Sequence, residues 1–511
     1  MIRRILSLVM LLMVCVYIIS CGKSDTTDSS TGSSSGSSTV TIDSTGITSG
    51  TAEGSTETGT NTEDLVENSS FTSTVSIVFG TTVTITNPLA SAGVTVSVSG
   101  ADVTVTSTVS SVEYNVFGTT TDGMLKIYSD KKFKLTLNGA TITNANGPAL
   151  NIQSSKRAFI VLADNTTNTL TDGASYAAAT GDEDQKGTIF SEGQLIFSGN
   201  GSLSVKGNYK HAICSDDYIR VRSGSITVTG AATDGFHTND AFIADGGTLK
   251  ITATSDGIEV EEGYAIINSG SFTLTTGDDG ITASYEEGDA TITPYVTING
   301  GTIAVTSSKG EGIESKSVLT INNGYITTNT YDDGLNAGTA IYINGGYVYS
   351  ISSNNDAMDS NGTFTITGGK VIAVGSGSPE AGIDCDAHTL KITGGIVVGT
   401  GGATSGPSAS VSTVYSVILG SGQANQIIHI EAADGTEALT FLAPKAYSTL
   451  LFASAKLKGS TSYTIYTGGS VSNATSFSGL YTSGTYTPGT KGTTFTTSSM
   501  VTQVGGTISR G

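Results

Sequence analysis

Residues 224–281 read GSITVTGAATDGFHTNDAFIADGGTLKITATSDGIEVEEGYAIINSGSFTLTTGDDGI, and this stretch decides the fold. Within it a glycine repeatedly opens an alternating run: Gly224-Ser-Ile-Thr-Val228, Gly247-Thr-Leu-Lys-Ile251 and Gly270-Ser-Phe-Thr-Leu274. Each run is followed by an acidic turn and an apolar residue, at Asp234-Gly-Phe236, Asp256-Gly-Ile258 and Asp278-Asp279-Gly-Ile281. Alternation of apolar and polar residues is the pattern of a half-buried strand, and the glycine marks a turn that takes positive φ. A unit of this length with short strands and no helical period cannot bury its own apolar face, so it must stack on copies of itself.

Working outward, the same register extends to Gly201-Ser-Leu-Ser-Val, Gly301-Thr-Ile-Ala-Val, Gly324-Tyr-Ile-Thr-Thr, Gly346-Tyr-Val-Tyr-Ser and Gly369-Lys-Val-Ile-Ala, in steps of 23, 23, 23, 31, 23, 22 and 23 residues. The expected fold is all-β: a right-handed parallel β-helix with coils about 4.8 Å apart. The long step predicts an inserted loop around Tyr285 to Pro294. Leu203, Ile226, Leu249, Phe272, Ile303, Ile326, Val348 and Val371 share one parity and should form an internal apolar stack, which turns the residue before each outward. The solenoid should span 69–400, and the fading period beyond Gly401 predicts a C-terminal β cap or small β domain over 401–511.

Composition agrees. Charged residues make up 13% of the chain, Gly numbers 66 against 7 Pro, Trp is absent, and the formal charge is -20. Such a surface repels polyanions, and the sequence has no Lys/Arg cluster, which excludes nucleic acid as a partner. The N-terminus reads Met-Ile-Arg-Arg, an apolar run from Ile5 to Ile19, then Ser20 and Cys21. That run falls short of the roughly 20 residues a membrane span needs, so residues 1–21 read as a signal peptide. Ile18-Ile19-Ser20-Cys21 resembles a bacterial lipobox, which implies lipidation of Cys21 and an exported protein anchored to a bacterial membrane, at the outer membrane or cell surface. Residues 22–68 are Ser, Thr, Gly and acidic residues with little to bury, and read as a flexible tether. The Gly-x-Ser-x-Gly match at Gly32 to Gly36 lies in that tether and lacks a strand-turn-helix context. Cys214 and Cys385 are too few for a disulfide framework and read as small buried hydrophobes.

The acidic turns repeat as Asp234, Asp256, Asp278 with Asp279, Glu311, Asp332 with Asp333, and Asp356. Stacking brings these carboxylates into a file, where neighbours at coil spacing repel by roughly 1 kcal/mol in water and by several at an effective dielectric near 20. One reading is turn chemistry alone, with Asp capping its own backbone and Gly supplying positive φ. The other is chelation of calcium, a hard cation that takes six to eight oxygens. The doubled rungs supply the most oxygens, and Glu259, Glu314, Asn336, Asp359 and Asp384 follow three residues after the ladder position.

These motifs, together with Leu-Thr-Leu-Asn-Gly-Ala-Thr-Ile-Thr-Asn at Leu135 to Asn144 and Asn168-Thr-Leu-Thr-Asp-Gly173, resemble the bacterial family of calcium-containing β-helix carbohydrate-binding domains over roughly Phe71 to Gly401. The resemblance implies bound Ca2+ and recognition of plant cell-wall polysaccharides, including polygalacturonate, on a fold related to pectate lyases but non-catalytic. Glu311 and Ala357 depart from the Asp-Gly-Ile pattern. With no Trp, sugar-stacking falls to tyrosine: Tyr325 and Tyr347 take the outward position after the turn glycine in consecutive coils, Tyr349 faces the same way, and Lys370 follows. Cross-strand aromatic packing accounts for the same row equally well.

Two other functions fit the same sequence. A calcium-dependent polysaccharide lyase would need a basic residue to remove a proton, and Lys210, Lys309 and Lys316 stand nearest the ladder without repeating. A surface adhesin or stalk would use the solenoid only as a spacer. The histidines at 211, 237, 388 and 429 fall in different coils without metal-ligand spacing, and read as core or solvent residues.

Overall fold

A computed structural model describes residues 39–285, 291–386 and 388–509. The leader, Cys21 and part of the insertion between Tyr285 and Pro294 lie outside the described residues.

The described chain is a parallel β-solenoid followed by an antiparallel region. Parallel pairing runs coil to coil from Ser73–Phe79 against Val112–Thr120 up to Lys370–Val374 against Ile396–Gly401. The predicted apolar stack forms as expected: Leu203 pairs with Ile226, then Leu249, Phe272, Ile303, Ile326, Val348 and Val371 in unbroken register, all buried. The turn glycines that open these runs, such as Gly247 (φ 85°) and Gly346 (φ 80°), hold the left-handed conformation. Their carbonyls accept the amide of the next coil, as when Gly224 O takes Thr248 N and Gly324 O takes Tyr347 N. The acidic turns lead into short strands that form a thirteen-stranded sheet, running from Ile383–Asp384 back to Val94–Ser99.

Beyond the last coil, Ile396–Gly401 pairs antiparallel with Thr449–Ser454. A seven-stranded antiparallel sheet then packs its own core, including Leu439, Phe441 and Phe477, against Phe452 and the outward-facing Ile372, Val374 and Val398 of the final coils.

Residues 39–68 differ from the expected tether. Val40–Ile42 adds a strand to the C-terminal sheet by pairing with Gly484–Tyr486, and the segment then follows the solenoid as a strap. An asparagine file holds it. Asn268, Asn299, Asn322 and Asn344 donate to the carbonyls of Thr58, Glu57, Ser55 and Glu53 at 2.7–2.9 Å, and Asn299, Asn322 and Asn344 each also donate to the amide oxygen of the asparagine one coil back. At the far end Asp64 is fully buried between Arg157 Nε (2.8 Å), Arg220 Nη1 (3.2 Å) and Tyr218 OH (2.6 Å). Low apolar content excludes an independent core but not docking through hydrogen bonds and ion pairs, which is what holds this segment.

Candidate functional site

The acidic turns form one continuous file. The short strands pair with Ile213, Phe236, Ile258, Ile281, Ile313, Leu335, Met358 and Ile383 opposite one another, so the residue two before each stacks in the order His211, Asp234, Asp256, Asp279, Glu311, Asp333, Asp356 and Ala381. A second file lies beside it on the strands: His237, Glu259, Thr282, Glu314, Asn336, Asp359 and Asp384 are direct register partners. The first file is more than turn chemistry. The carboxylate of one coil accepts the amide at the equivalent position of the next, from Asp256 N to Asp234 (3.1 Å), Asp279 N to Asp256 (2.7 Å), Glu311 N to Asp279 (2.8 Å), Asp356 N to Asp333 (3.0 Å) and Ala381 N to Asp356. Each carboxylate keeps its other oxygen for a further partner.

Asp256, Asp279, Asp333 and Asp356 are buried, whereas Asp278 is exposed and Asp332 half-buried. Burial is the first cause that pushes their carboxyls up, and neighbouring carboxylates add to it. Asp256 rises to about 8, with Asp234 and Glu259 beside it, and Asp333 to about 9, with Asp359, Asp356 and Asp332. Asp356 and Asp359 rise to about 7, and Asp279 is raised by burial and by Glu311. Three nearby basic side chains are engaged, Lys316 with Glu314 of the second file, Lys186 with Asp216, and Arg220 with Asp245 and Asp64. Desolvated negative charge of this kind is held either by protonation or by a bound cation.

Among the described residues oxygen-only clusters form at three places: Asp234, Asp256 and Glu259 meet beside the histidines, and two more lie further along the file. Asp256, Asp278 and Asp279 bring one carboxylate oxygen each within 4.8 Å of one another, and so do Asp356, Asp359 and Asp384. In the latter cluster Asp359 Oδ1 is buried without a hydrogen-bond partner among the described residues. In the former, a Cβ on Gly310 would collide with Oδ1 of both Asp278 and Asp279, so glycine leaves the space that the carboxylates share. Both donor sets suit a hard divalent ion. The other doubled rung differs from expectation: Asp332 Oδ1 accepts from Asn355 Nδ2 (2.6 Å), and Asp333 accepts from Asp356 N and from Asn336 Nδ2 (3.2 Å). Amide donors thus take the place a cation would fill there. Asp234 likewise sits against histidines, 2.7 Å from His211 Nδ1 and 3.3 Å from His237 Nδ1.

The tyrosine row lies on strands of the other sheet. Tyr325, Tyr347 and Lys370 are register partners, the two tyrosine rings stack at 5.8 Å, and both remain over two-fifths exposed. Lys370 Nζ stands 4.1 Å from the Tyr347 centroid and 2.9 Å from its hydroxyl, which leaves a cation beside an aromatic face. Phe477 packs edge-on against both rings. Tyr349 is half-buried and packs against the C-terminal core, so less of its ring is open than at Tyr325 and Tyr347. Cys214 and Cys385 are buried and unpaired.

The histidine positions escaped sequence reasoning. His211 and His237 are stacked at 4.0 Å and buried on the ladder. The signal was present, because His211 stands two residues before Ile213 just as each ladder Asp stands two before its apolar residue.

Comparison with known proteins adds family information. A family model described as carbohydrate-binding domain-containing protein matches residues 99–356 and 286–384, more than half of the chain. A carbohydrate-binding domain-containing protein of Acetivibrio thermocellus is 31% identical over 118 residues, 22% of this chain and 41% of that one. The match therefore spans about two-fifths of that relative's length. A polysaccharide lyase-like protein from C. thermocellum, solved as a gadolinium derivative, is 23% identical with a TM-score of 0.39, covering 57% of this chain and 96% of that one.

Proposed function

This chain belongs to the family of carbohydrate-binding domain-containing proteins, and from that premise we propose that it binds an acidic, plant-type polysaccharide through calcium without cleaving it. The observation that carries this reading is the buried Asp359 Oδ1, without a hydrogen-bond partner among the described residues and within reach of Asp356 and Asp384, in a protein of net charge -20. Such a protein repels a polyuronate unless divalent ions bridge the two sets of carboxylates. Asp356, Asp359 and Asp384 would hold one calcium, and Asp256, Asp278 and Asp279 another. Calcium supplies positive charge that a uronate carboxylate can share. The ladder residues hold and orient it, while Asp332 and Asp333 brace the coils between the two sites. Tyr325 and Tyr347 with Lys370 offer a second, weaker contact, where rings face the C–H surface of a sugar and the ammonium meets an acid group.

Export and lipid attachment at Cys21 belong to the same reading, placing the binding surface outside the cell. Membrane fractionation of Cys21→Ala tests this: release from the membrane is expected, and unchanged membrane retention with normal leader processing overturns it.

The functional test is calcium titration and polygalacturonate retention by Asp356→Asn with Asp359→Asn. Loss of a calcium and weaker retention are expected. Unchanged calcium stoichiometry refutes the assignment of that site. Appearance of the unsaturated product of β-elimination, read by ultraviolet absorbance, would replace binding by a lyase.

A further inference from the structure

The calcium reading leaves His211, Asp234 and His237 unexplained. Ladder register places His211 one coil before Asp234, and the strand that follows Asp234 presents His237 three residues on. Both imidazoles direct the same nitrogen at the same oxygen: Asp234 Oδ2 lies 2.7 Å from His211 Nδ1 and 3.3 Å from His237 Nδ1. The donor atoms of all three buried residues lie within 4.8 Å of one another. The rings stack at 4.0 Å with 25° between their planes, so two imidazolium charges would face each other at close range. The two rings are therefore not both charged, and a neutral imidazole can release its Nδ1 proton to a metal.

The surroundings complete the pattern. Glu259 Oε2 stands 2.9 Å from His237 Nδ1, and Thr233 Oγ1 3.0 Å from His211 Nδ1. On the opposite edge of the ring, Glu261 Oε2 lies 3.3 Å from His237 Nε2, the arrangement in which an outer carboxylate orients a ligating histidine. Four acids, Asp234, Asp256, Glu259 and Glu261, stand around two histidines with Lys210 nearby, an excess of negative charge that favours a divalent cation. Donor type then selects the ion, because imidazole suits zinc and its neighbours in the transition series, whereas calcium takes oxygen. Tetrahedral zinc with bonds of about 2.1 Å separates its ligands by about 3.4 Å, close to the His237 separation and reached at His211 by an opening of about 0.7 Å.

We propose that His211, Asp234 and His237 bind a borderline divalent cation of the zinc class, with Glu259 at the fourth position and Glu261 orienting His237. The ion ties adjacent coils together where the carboxylate file begins. Its two histidines set this site apart from the calcium sites, while Asp234 and Glu259 also adjoin Asp256 of the neighbouring calcium cluster.

The test uses the full-length chain purified in detergent, stripped with chelator and dialysed against zinc in a large excess of calcium. One zinc per chain should be retained. His211→Gln with His237→Gln should lose it, and cobalt(II) bound in place of zinc should show visible bands of tetrahedral character. Glu261→Gln leaves the direct ligands intact and should weaken zinc by about 10–100-fold at unchanged stoichiometry. Far-UV circular dichroism and the calcium-induced thermal shift, followed in the same variants, separate misfolding from ligand loss and report on the calcium sites independently. Zinc displaced in proportion to added calcium, or retained equally by the double histidine variant, overturns the site.

Discussion

Removal of the Asp64 carboxylate tests how the N-terminal strap is held. Asp64 is fully buried, with Oδ1 accepting from Arg157 and Tyr218 and Oδ2 from Arg220. Stripping one partner from a buried ion pair costs about 3–5 kcal/mol when the remaining charge is orphaned. Here Arg220 keeps Asp245 at 2.7 Å and Arg157 keeps the exposed Glu63 at 3.1 Å, so Asp64→Ala should cost less, about 2–3 kcal/mol. The loss falls on strap docking rather than on the coils, whose apolar stack is untouched. At about 1.4 kcal/mol per tenfold, opening of residues 53–68 should become roughly 30–150 times more frequent. Hydrogen exchange resolved by peptide reads this directly: faster exchange in 53–68 with unchanged protection in 224–281. Exchange already fast in the wild type, or equal acceleration across both segments in the variant, would refute a strap docked through Asp64.

Other predictions are narrower. Gly310→Ala should remove calcium bound by Asp278 and Asp279 because its Cβ occupies the space their oxygens share, which calcium titration checks by the loss of one site. Tyr347→Ala should weaken polygalacturonate retention while leaving thermal stability nearly unchanged, since its ring is 41% exposed, as affinity electrophoresis beside a thermal melt would show. His429 is buried and its pKa is pushed down to about 4 by burial, so the folded state stays neutral while the unfolded state gains a proton below about 6.5. Its contribution is therefore lost as pH falls from about 6.5 to 4, by up to roughly 3 kcal/mol, and the stability difference between wild type and His429→Gln in urea should shrink over that window.

Much of the solenoid was legible because its causes are local and repeated. The alternation Leu203, Ile226, Leu249, Phe272 carries both strand and register, and a fixed step of 23 residues carries the stacking. The strap was not legible in the same way. Asp64 meets Arg157 and Arg220 across more than ninety residues of chain, and no local period encodes such a partner. The asparagine file does leave a trace, since Asn268, Asn299, Asn322 and Asn344 each stand two residues before a turn glycine. Its meaning depends on the strap. Within the acidic ladder, spacing predicted the file but not which rungs keep an unsatisfied oxygen. Asp332 and Asp333 look like a doubled calcium rung until Asn355 and Asn336 are seen to occupy them, whereas Asp384 gains a role because Asp359 Oδ1 beside it has no hydrogen-bond partner among the described residues. Tyr349 shares the parity of Tyr347, yet it packs half-buried against the C-terminal core.

The most direct measurement of calcium-bridged recognition is the affinity of the wild-type chain for polygalacturonate, compared in chelator and in calcium, with thermal stability followed in parallel. An ion bound only to the folded state stabilises by about 2.7 kcal/mol at one hundred times its dissociation constant, so calcium should raise both affinity and melting temperature, without release of unsaturated product. Undiminished binding in excess chelator would contradict calcium-bridged recognition.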